Sequence, residues 1–242
     1  MRIIFKHLPN AITCGNLVCG CVGIIEVFNN RPIHAYWLIL LAGVLDFFDG
    51  FVARLLKVQS PIGKELDSLA DMVTFGALPG FIMFYLIGFD ITSSVFVPNK
   101  LTYVALIIPV FSALRLAKFN IDTRQSEQFI GLPTPANAMF LGAFPLILNS
   151  KYFYSFWLSQ SIIIQWALVF ISVLSAFMLV APVPLIALKF KNFQWRYNQM
   201  KYLLVGFSLF LILFYQLFAL PIIIILYIAL SIIDNIFKIS RP

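Results

Sequence analysis

Residues 46–71 read DFFDGFVARLLKVQSPIGKELDSLAD, and this stretch decides how the rest of the chain is interpreted. It holds half of the ten acidic residues in the chain, although the surrounding sequence is almost entirely apolar. Four of them are aspartates: Asp46, Asp49, Asp67 and Asp71. Acidic side chains within apolar membrane segments are rare and usually functional. The stretch is therefore predicted to form a site.

The four aspartates form two pairs, and each pair lies on one face of a predicted helix. Asp46 and Asp49 are three residues apart, and Asp67 and Asp71 are four apart, so each pair spans one turn. If the two helices are antiparallel neighbours, the pairs face each other. Carboxylates about 4 Å apart repel by roughly 4 kcal/mol at an effective dielectric near 20. The group therefore predicts bound Mg²⁺ or Mn²⁺, and four carboxylates suffice for two ions.

Residues between the aspartates are suited to a phosphate ligand beside these metals. Gly50 leaves room for a ligand next to Asp49, and Ala53 is a small residue one turn further along the same face. Arg54 carries a permanent charge on a planar fork that can bind phosphate through two hydrogen bonds. The alternative is a set of interfacial charges at helix ends, which leaves the clustering of the four aspartates unexplained.

The composition predicts a helical membrane protein. Of the 242 residues, 61% are hydrophobic and 11% are charged, and the mean hydropathy is +0.94. A soluble domain has about a quarter of its residues charged. Because strand-type alternation is absent, helices rather than a barrel are expected to span the bilayer. The N-terminal MRIIFKHLPN is too short for a cleaved signal, so the first apolar run is predicted to be a retained helix.

The apolar segments predict an all-α integral membrane protein, a bundle of about eight transmembrane helices in a single domain over residues 1–242. The core is expected at about 1–190 and two extra helices at about 200–238, with only a turn at Pro221 between these last two. The predicted spans are 11–29, 34–56, 66–89, 101–119, 133–150, 161–182, 201–219 and 221–238.

The distribution of Lys and Arg predicts the orientation. With the N-terminus in the cytoplasm and alternating spans, the outer side receives three of the 17 cations, Arg31, Lys100 and Lys151, which leaves 14 inside. This is a strong positive-inside pattern. Both termini and residues 46–71 are thus expected at the cytoplasmic face. The net charge of +7 then indicates topology and contact with anionic lipid rather than nucleic acid.

Two further groups of polar residues lie at predicted cytoplasmic helix ends. Asn10 and Thr13 follow Pro9, which is predicted to occupy the first position of the first helix; they are either helix-start residues or ligand contacts. Arg115 and Lys118, followed by Asn120, close the fourth helix. These are either snorkelling cations or a site that recognises an anionic group.

The central stretch fits the pattern D-x2-D-G-x2-A-R-x8-G-x3-D-x3-D at every fixed position. A chance match at a given start is on the order of 10⁻¹⁰. The pattern resembles the signature of the CDP-alcohol phosphotransferases, integral membrane enzymes of phospholipid synthesis. Within that family, more of the chain resembles the membrane-type phosphatidylserine synthase branch, through PNAITCGNLVCG at 9–20, DMVTFGALPG at 71–80, and RLAKFN followed by FIGLPTP at 115–135. Lys118 stands where an Arg is more usual in this branch.

The resemblance implies transfer of phosphatidyl from CDP-diacylglycerol to L-serine at the cytoplasmic face of the inner membrane, by a homodimer. It implies that the four aspartates bind two divalent cations, Mg²⁺ or Mn²⁺, and that Asp71 is also the general base. The implied contacts to CDP-diacylglycerol are Asn10, Thr13, Gly50, Ala53, Arg54, Ser60 and Gly63. The implied contacts to the acceptor are Arg115, Lys118 and Asn120.

Three other functions remain open at this point. The first is another enzyme of the same family, using glycerol phosphate, inositol phosphate or an archaeal lipid donor; the 115–135 segment argues against the first two. The second is an ion-coupled transporter, which would need acids distributed across the membrane depth rather than at one edge beside Arg54. The third is a structural lipid-binding membrane protein, which leaves the aspartates without a role.

Overall fold

The computed structural model describes residues 2–58, 60–121, 129–186 and 194–237, and most of these residues are helical. The α-helices are α1 (Arg2–Phe28), α2 (Pro32–Leu55), α3 (Pro61–Asp71), α4 (Leu78–Gly88), α5 (Ile107–Ile121), α6 (Thr134–Gly142), α7 (Phe144–Leu148), α8 (Lys151–Ser159), α9 (Ser161–Val180), α10 (Trp195–Tyr215) and α11 (Ala219–Phe237). A π-helical segment, Met72–Ala77, joins α3 to α4, and a 3₁₀ turn, Thr102–Leu106, precedes α5.

In the loops that the structure describes, four two-residue strands form two antiparallel pairs. Strand β1 (Phe89–Asp90) pairs with β2 (Val95–Phe96) after α4. Strand β3 (Phe129–Ile130) pairs with β4 (Pro184–Leu185), which joins the loop before α6 to the loop after α9. The described architecture is therefore helical, and the short strands connect loops to one another.

Within the described residues, five stretches are long and apolar enough to cross a membrane. They are His7–Phe28, Pro61–Gly88, Thr102–Ile121, Ser161–Val180 and Asn198–Phe237. The last stretch contains both α10 and α11, which a short 3₁₀ turn separates. Helix α2 is not among the five, yet it has 24 residues and lies along α1. The all-α membrane class is confirmed, whereas the count of eight spans and their orientation remain predictions.

The central helix of the fold is the continuous run from α3 through the π-helical segment to α4. More of this span is buried than of any other candidate span in the described residues. Helices α1, α2, α5, α6 and α9 all contact it. Close approach depends on small residues: a Cβ at Gly80 would lie 2.7 Å from Pro109, and one at Gly76 would lie 3.0 Å from Ser112.

The exterior is apolar, as expected for a protein whose solvent is lipid. Large side chains such as Phe47, Leu55, Phe170 and Leu213 are exposed. In water, an apolar exterior of this extent would mark a binding surface or an aggregation hazard. Around a helical membrane chain, the same residues provide the apolar surface that faces the acyl chains.

Three boundaries differ from the sequence-based expectation, each for a reason involving proline. Helix α1 begins at Arg2, so Pro9 lies inside it and not at its first position. Pro9 is the eighth residue of α1, where it lacks the N–H for one backbone hydrogen bond, and the helix continues through it. Helix α3 begins at Pro61 rather than at 66, because Ser60 caps it by accepting the Gly63 N–H at 2.9 Å.

The third difference concerns the predicted span at 133–150. The structure divides it into α6 and α7, with a break at Ala143 just before Pro145. Proline lacks an N–H and its ring crowds the preceding turn, so the helix is interrupted there. The apolar run of Thr134–Leu148 is consequently shorter than the other candidate spans. Several cations assigned to the inner face lie outside the described residues: Arg124, Lys189, Lys191, Lys238 and Arg241.

Candidate active site

The two pairs of aspartates meet between the second half of α2 and the second half of α3. The chain reverses direction between Leu55 and Pro61, which places α3 beside the hairpin of α1 and α2. One carboxylate oxygen from each of Asp46, Asp49 and Asp67 lies within 4.8 Å of the others. The convergence expected from the helical spacing is therefore found. The role of these residues as metal ligands remains a prediction.

Asp71 lies beside this trio and is enclosed by protein. Its side chain is 8% exposed, and its Oδ1 accepts a hydrogen bond of 3.2 Å from the Asn16 amide. It is close enough to Asp46 and Asp67 to experience their negative charges. The site thus has three clustered carboxylates and a fourth that is held by a neutral donor from α1.

Helix α1 forms the third wall of the site. The Thr13 hydroxyl lies 2.7 Å from Asp49 Oδ2 and 3.0 Å from the Pro9 carbonyl oxygen. Thr74 Oγ1 donates to the Asn16 carbonyl at 3.0 Å and so joins α1 to the π-helical segment. From the sequence alone, Asn16 is an amide in an apolar helix that needs a polar partner, and it could serve either packing or the site. Its partner in the structure is Asp71.

The chemistry of the cluster fits a hard divalent cation. Asp67 Oδ1 is buried and has no hydrogen-bond donor among the described residues. Two charged carboxylates at about 4.8 Å repel by roughly 3 kcal/mol at an effective dielectric near 20. A divalent cation would bind the Asp67 oxygen that lacks a hydrogen-bond donor, and it would also neutralise the repulsion between the carboxylates. The residues present therefore fit Mg²⁺ or Mn²⁺.

A cavity of about 570 Å³ opens beside the aspartates. Gly50 faces open space, because a Cβ built there would have no atom within 4 Å. At Gly63, a Cβ would come within 3.0 Å of Asn10 Oδ1 and of Ser60 Oγ, so Gly63 keeps these two polar atoms close to the backbone. The lining comprises Pro9, Asn10, Thr13, Asp49, Gly50, Ala53, Val58, Ser60, Pro61, Gly63, Lys64 and Asp67.

Of the seven residues predicted to contact CDP-diacylglycerol, six line this cavity, and Arg54 does not. Arg54 is exposed at the end of α2. Lys64, which was not predicted, does line the cavity, and its Nζ donates to the Asn120 carbonyl at 3.2 Å. Its position three residues before Asp67, on the same helix face, was a signal that could have identified it.

The predicted acceptor residues occupy different environments. Arg115 is 7% exposed, its Nε donates to the Leu132 carbonyl at 2.8 Å, and it experiences the charge of Asp71. Within the described part of the chain, Arg115 forms no ion pair. Asn120 Nδ2 donates to Ser68 Oγ at 2.9 Å, which connects α5 to α3. Lys118 is exposed. The structure thus brings Arg115 and Asn120 toward the aspartates and leaves Lys118 at the surface.

Comparison with known proteins finds the same family that the aspartate pattern resembles. The model of the family described as CDP-alcohol phosphatidyltransferase matches residues 6–177, which include all four aspartates and the three acceptor candidates. The match ends within α9, so α10 and α11 lie beyond it.

Several curated relatives share one enzyme name. A CDP-diacylglycerol–serine O-phosphatidyltransferase of Helicobacter pylori is 37% identical over 146 residues, 60% of this chain and 59% of the relative. Proteins of the same name from Bacillus subtilis and Methanocaldococcus jannaschii are 38% and 33% identical, over 56% and 59% of this chain and 73% and 62% of theirs. The chain thus spans about three fifths of the length of the first of these relatives.

Proposed function

This chain belongs to the CDP-alcohol phosphatidyltransferase family, and on that premise we propose that it transfers phosphatidyl from CDP-diacylglycerol to the hydroxyl of L-serine. The products are phosphatidylserine and CMP. The observation that carries the proposal is the convergence of Asp46, Asp49 and Asp67 within 4.8 Å, next to a cavity of about 570 Å³. The choice of serine is supported by the names of the relatives.

The donor occupies the cavity in this proposal. A volume of about 570 Å³ lies within the range of small-molecule sites. The open space at Gly50 admits the diphosphate close to Asp49, and the polar atoms of Asn10, Thr13 and Ser60 contact the polar head of the donor. Lys64 adds a cation to the same wall. The acyl chains extend into the bilayer between helices and need no enclosed pocket.

The four aspartates hold two divalent cations, Mg²⁺ or Mn²⁺. When bound, such ions neutralise the diphosphate and the charge that develops on the departing CMP. The chain holds the ligands in place through the hydrogen bond between Thr13 and Asp49 and through the helical spacing of each pair. Arg54, exposed at the end of α2, adds a fixed positive charge at the rim.

Asp71 is the general base. Asn16 occupies its Oδ1, which leaves the other carboxylate oxygen to receive the proton of the serine hydroxyl. As the proton moves to Asp71, the serine oxygen forms a bond to the phosphorus of the phosphatidyl group. The bond from that phosphorus to the CMP oxygen breaks in line with the attack.

Arg115 receives the acceptor. Its Nε is used by the Leu132 carbonyl, and the remaining N–H groups of the guanidinium are suited to a carboxylate such as that of serine. The electrostatic interaction between Arg115 and Asp71 supports an acceptor site on the same side as the proposed base. Asn120 is the second acceptor contact, and Lys118, at the surface, faces lipid phosphate.

We also propose how the chain is arranged in the membrane. One domain covers residues 1–242, eight spans cross the inner membrane with both termini in the cytoplasm, and two copies form a homodimer. The site then faces the compartment that supplies nucleotide and serine. The positive-inside distribution of Lys and Arg supports this orientation.

The test is an acceptor panel with purified protein and CDP-diacylglycerol. L-serine, glycerol 3-phosphate, inositol phosphate and no acceptor are compared with Mg²⁺, with Mn²⁺ and with a chelator, and both CMP and the lipid product are measured. We expect CMP and phosphatidylserine in equal amounts, with serine and metal only. Release of CMP with a phosphorylated acceptor alone would assign another reaction of the family, and turnover in the presence of chelator would remove the metals from the mechanism.

A further inference from the structure

The last described helix, α11, fastens the loop that follows α9. Tyr227, Ser231 and Asn235 are spaced by four residues and therefore share one face of α11. The Tyr227 hydroxyl donates to the Ile186 carbonyl at 3.1 Å, and the Ile186 N–H donates to Ser231 Oγ at 3.2 Å. Asn235 Nδ2 donates to the Pro184 carbonyl. Side chains of α11 thus bind the backbone of β4 and the residue after it.

The fastened loop in turn holds the segment before α6. Strand β4 pairs with β3, the Gly131 N–H donates to the Val183 carbonyl at 3.0 Å, and the Leu132 N–H donates to the Met178 carbonyl at 2.9 Å. Gly131 has φ +79°, and a Cβ there would collide with the Leu179 carbonyl oxygen. Two-residue strands are not stable alone, so this segment keeps its position because α9 and α11 support it.

The segment before α6 includes Leu132, whose carbonyl oxygen orients Arg115. The Leu132 carbonyl accepts the Arg115 Nε hydrogen bond, and the Leu132 side chain is buried against Leu185 and against Ile224 of α11. The Tyr227 phenol is also close enough to Arg115 for the two groups to interact electrostatically. A chain of contacts therefore runs from α11 to the guanidinium beside Asp71.

We infer that Tyr227 is a positioning residue for Arg115, and that α11 belongs to the acceptor side of the site. Helix α11 lies beyond residues 6–177, the part that the family model matches, so this support is an addition to the family core. The inference rests on the proposed function in that it takes Arg115 to bind the acceptor. A planar guanidinium binds a carboxylate through two bonds only when its plane is fixed.

A purely structural role for Tyr227 predicts a different result from a positioning role. If Tyr227 only stabilises the fold, its loss lowers thermal stability and affects donor and acceptor alike. If it positions Arg115, its loss weakens acceptor binding selectively, because the donor cavity between α1, α2 and α3 lies apart from α11. The change in the acceptor KM relative to the change in the donor KM therefore distinguishes a positioning role from a structural role.

The variant is Tyr227→Phe, and the matched control is Tyr85→Phe. Tyr85 is a buried tyrosine of α4 that stacks on Phe96 at the far end of the molecule from the aspartates. We expect Tyr227→Phe to raise the serine KM about fivefold, the effect of one lost neutral hydrogen bond, with the CDP-diacylglycerol KM unchanged. Tyr85→Phe should change neither KM. Equal changes in both KM values for Tyr227→Phe, or no change in either, would overturn the inference.

Two further measurements complete the test. In a background of Arg115→Lys, which keeps the charge but loses the Nε donor, Tyr227→Phe should have little additional effect on the acceptor KM. A full fivefold effect in that background would show that Tyr227 acts independently of Arg115. Hydrogen exchange of residues 129–136 should increase in Tyr227→Phe and not in Tyr85→Phe, whatever the acceptor. If the wild-type protein uses a different acceptor, the proposed function fails, and the KM ratio is measured with the acceptor that the panel identifies.

Discussion

At the scale of single residues, Asp71 differs from the other three aspartates in its surroundings. It is almost fully buried, it accepts a hydrogen bond from Asn16, and it lies near the charge of Arg115. The other three face one another across a gap suited to cations. This difference supports a division of labour, in which Asp71 handles the proton and the trio mainly holds metal.

Asp71→Asn should abolish transfer while sparing the fold. The amide has the shape of the carboxylate but accepts no proton at neutral pH, so turnover should fall by about 10³-fold, the middle of the usual range for the contribution of a general base. Turnover and thermal unfolding in detergent are measured together. The control is Asp90→Asn at the end of β1, where hydrogen bonds from Thr92 and Ser93 lower the pKa of the carboxyl group. Full activity of Asp71→Asn would refute its role as base.

Gly50→Leu should impair donor binding without unfolding the protein. A Cβ at Gly50 meets no atom within 4 Å, so the larger side chain fits the protein but occupies the space assigned to the diphosphate. We expect the CDP-diacylglycerol KM to rise about tenfold or more, equivalent to ~1.4 kcal/mol. Gly206→Leu is the matched control, because Gly206 on α10 also faces open space. Equal KM values in the two variants would place the donor elsewhere.

At the scale of elements, the site depends on how closely α1 packs against the π-helical segment. A Cβ at Gly20 would lie 2.4 Å from Thr74 Oγ1 and 3.0 Å from the Thr74 Cα, so any larger residue must push the two helices apart. Thr74 also donates to the carbonyl of Asn16, the residue that holds Asp71. The packing of Gly20 is thereby linked to the position of Asp71, the proposed base.

Gly20→Ala should therefore destabilise the protein, whereas Gly15→Ala should not. Overpacking at a tight contact costs about 1–3 kcal/mol. At Gly15 the added Cβ would lie 3.5 Å from Leu45, an ordinary contact, and alanine favours the helix by up to ~1 kcal/mol. Thermal unfolding in detergent compares the two variants on the same helix. Equal melting temperatures would mean that Thr74 moves aside without cost.

Features that depend on the local spacing of residues within helices could be predicted from the sequence, whereas contacts between distant segments could not. The convergence of Asp46, Asp49 and Asp67 follows from helical spacing and a short loop, both of which are local properties. The hydrogen bond from Arg115 to the Leu132 carbonyl joins residues 17 positions apart in the sequence and depends on how α5 meets the segment before α6. Such contacts have no local periodicity, so the sequence pattern could not reveal them. Lys64 was overlooked because a lysine at a helix start is usually solvated.

At the scale of the whole molecule, the open question is the side of the membrane on which the site lies. The aspartates lie on α2 and α3 on the two sides of the reversal that joins these helices, whereas the loop after α4 lies at the other end of the run from α3 to α4. Most Lys and Arg residues are assigned by the sequence to the end with the aspartates. The positive-inside rule places that end in the cytoplasm, and the availability of CDP-diacylglycerol and serine there gives the orientation a chemical reason.

Cysteine labelling tests this orientation directly. Cys14, Cys19 and Cys21 are free thiols and are first replaced by alanine. Lys57→Cys then places a thiol in the loop between α2 and α3, and Lys100→Cys places one in the loop after β2; both lysines are exposed. In intact cells, a membrane-impermeant maleimide should label the variant at 100 and not the variant at 57. After the membrane is permeabilised, both should react. Labelling of the variant at 57 in intact cells would put the aspartates on the outer face, where nucleotide-linked lipid is not supplied, and the proposed reaction could not proceed there.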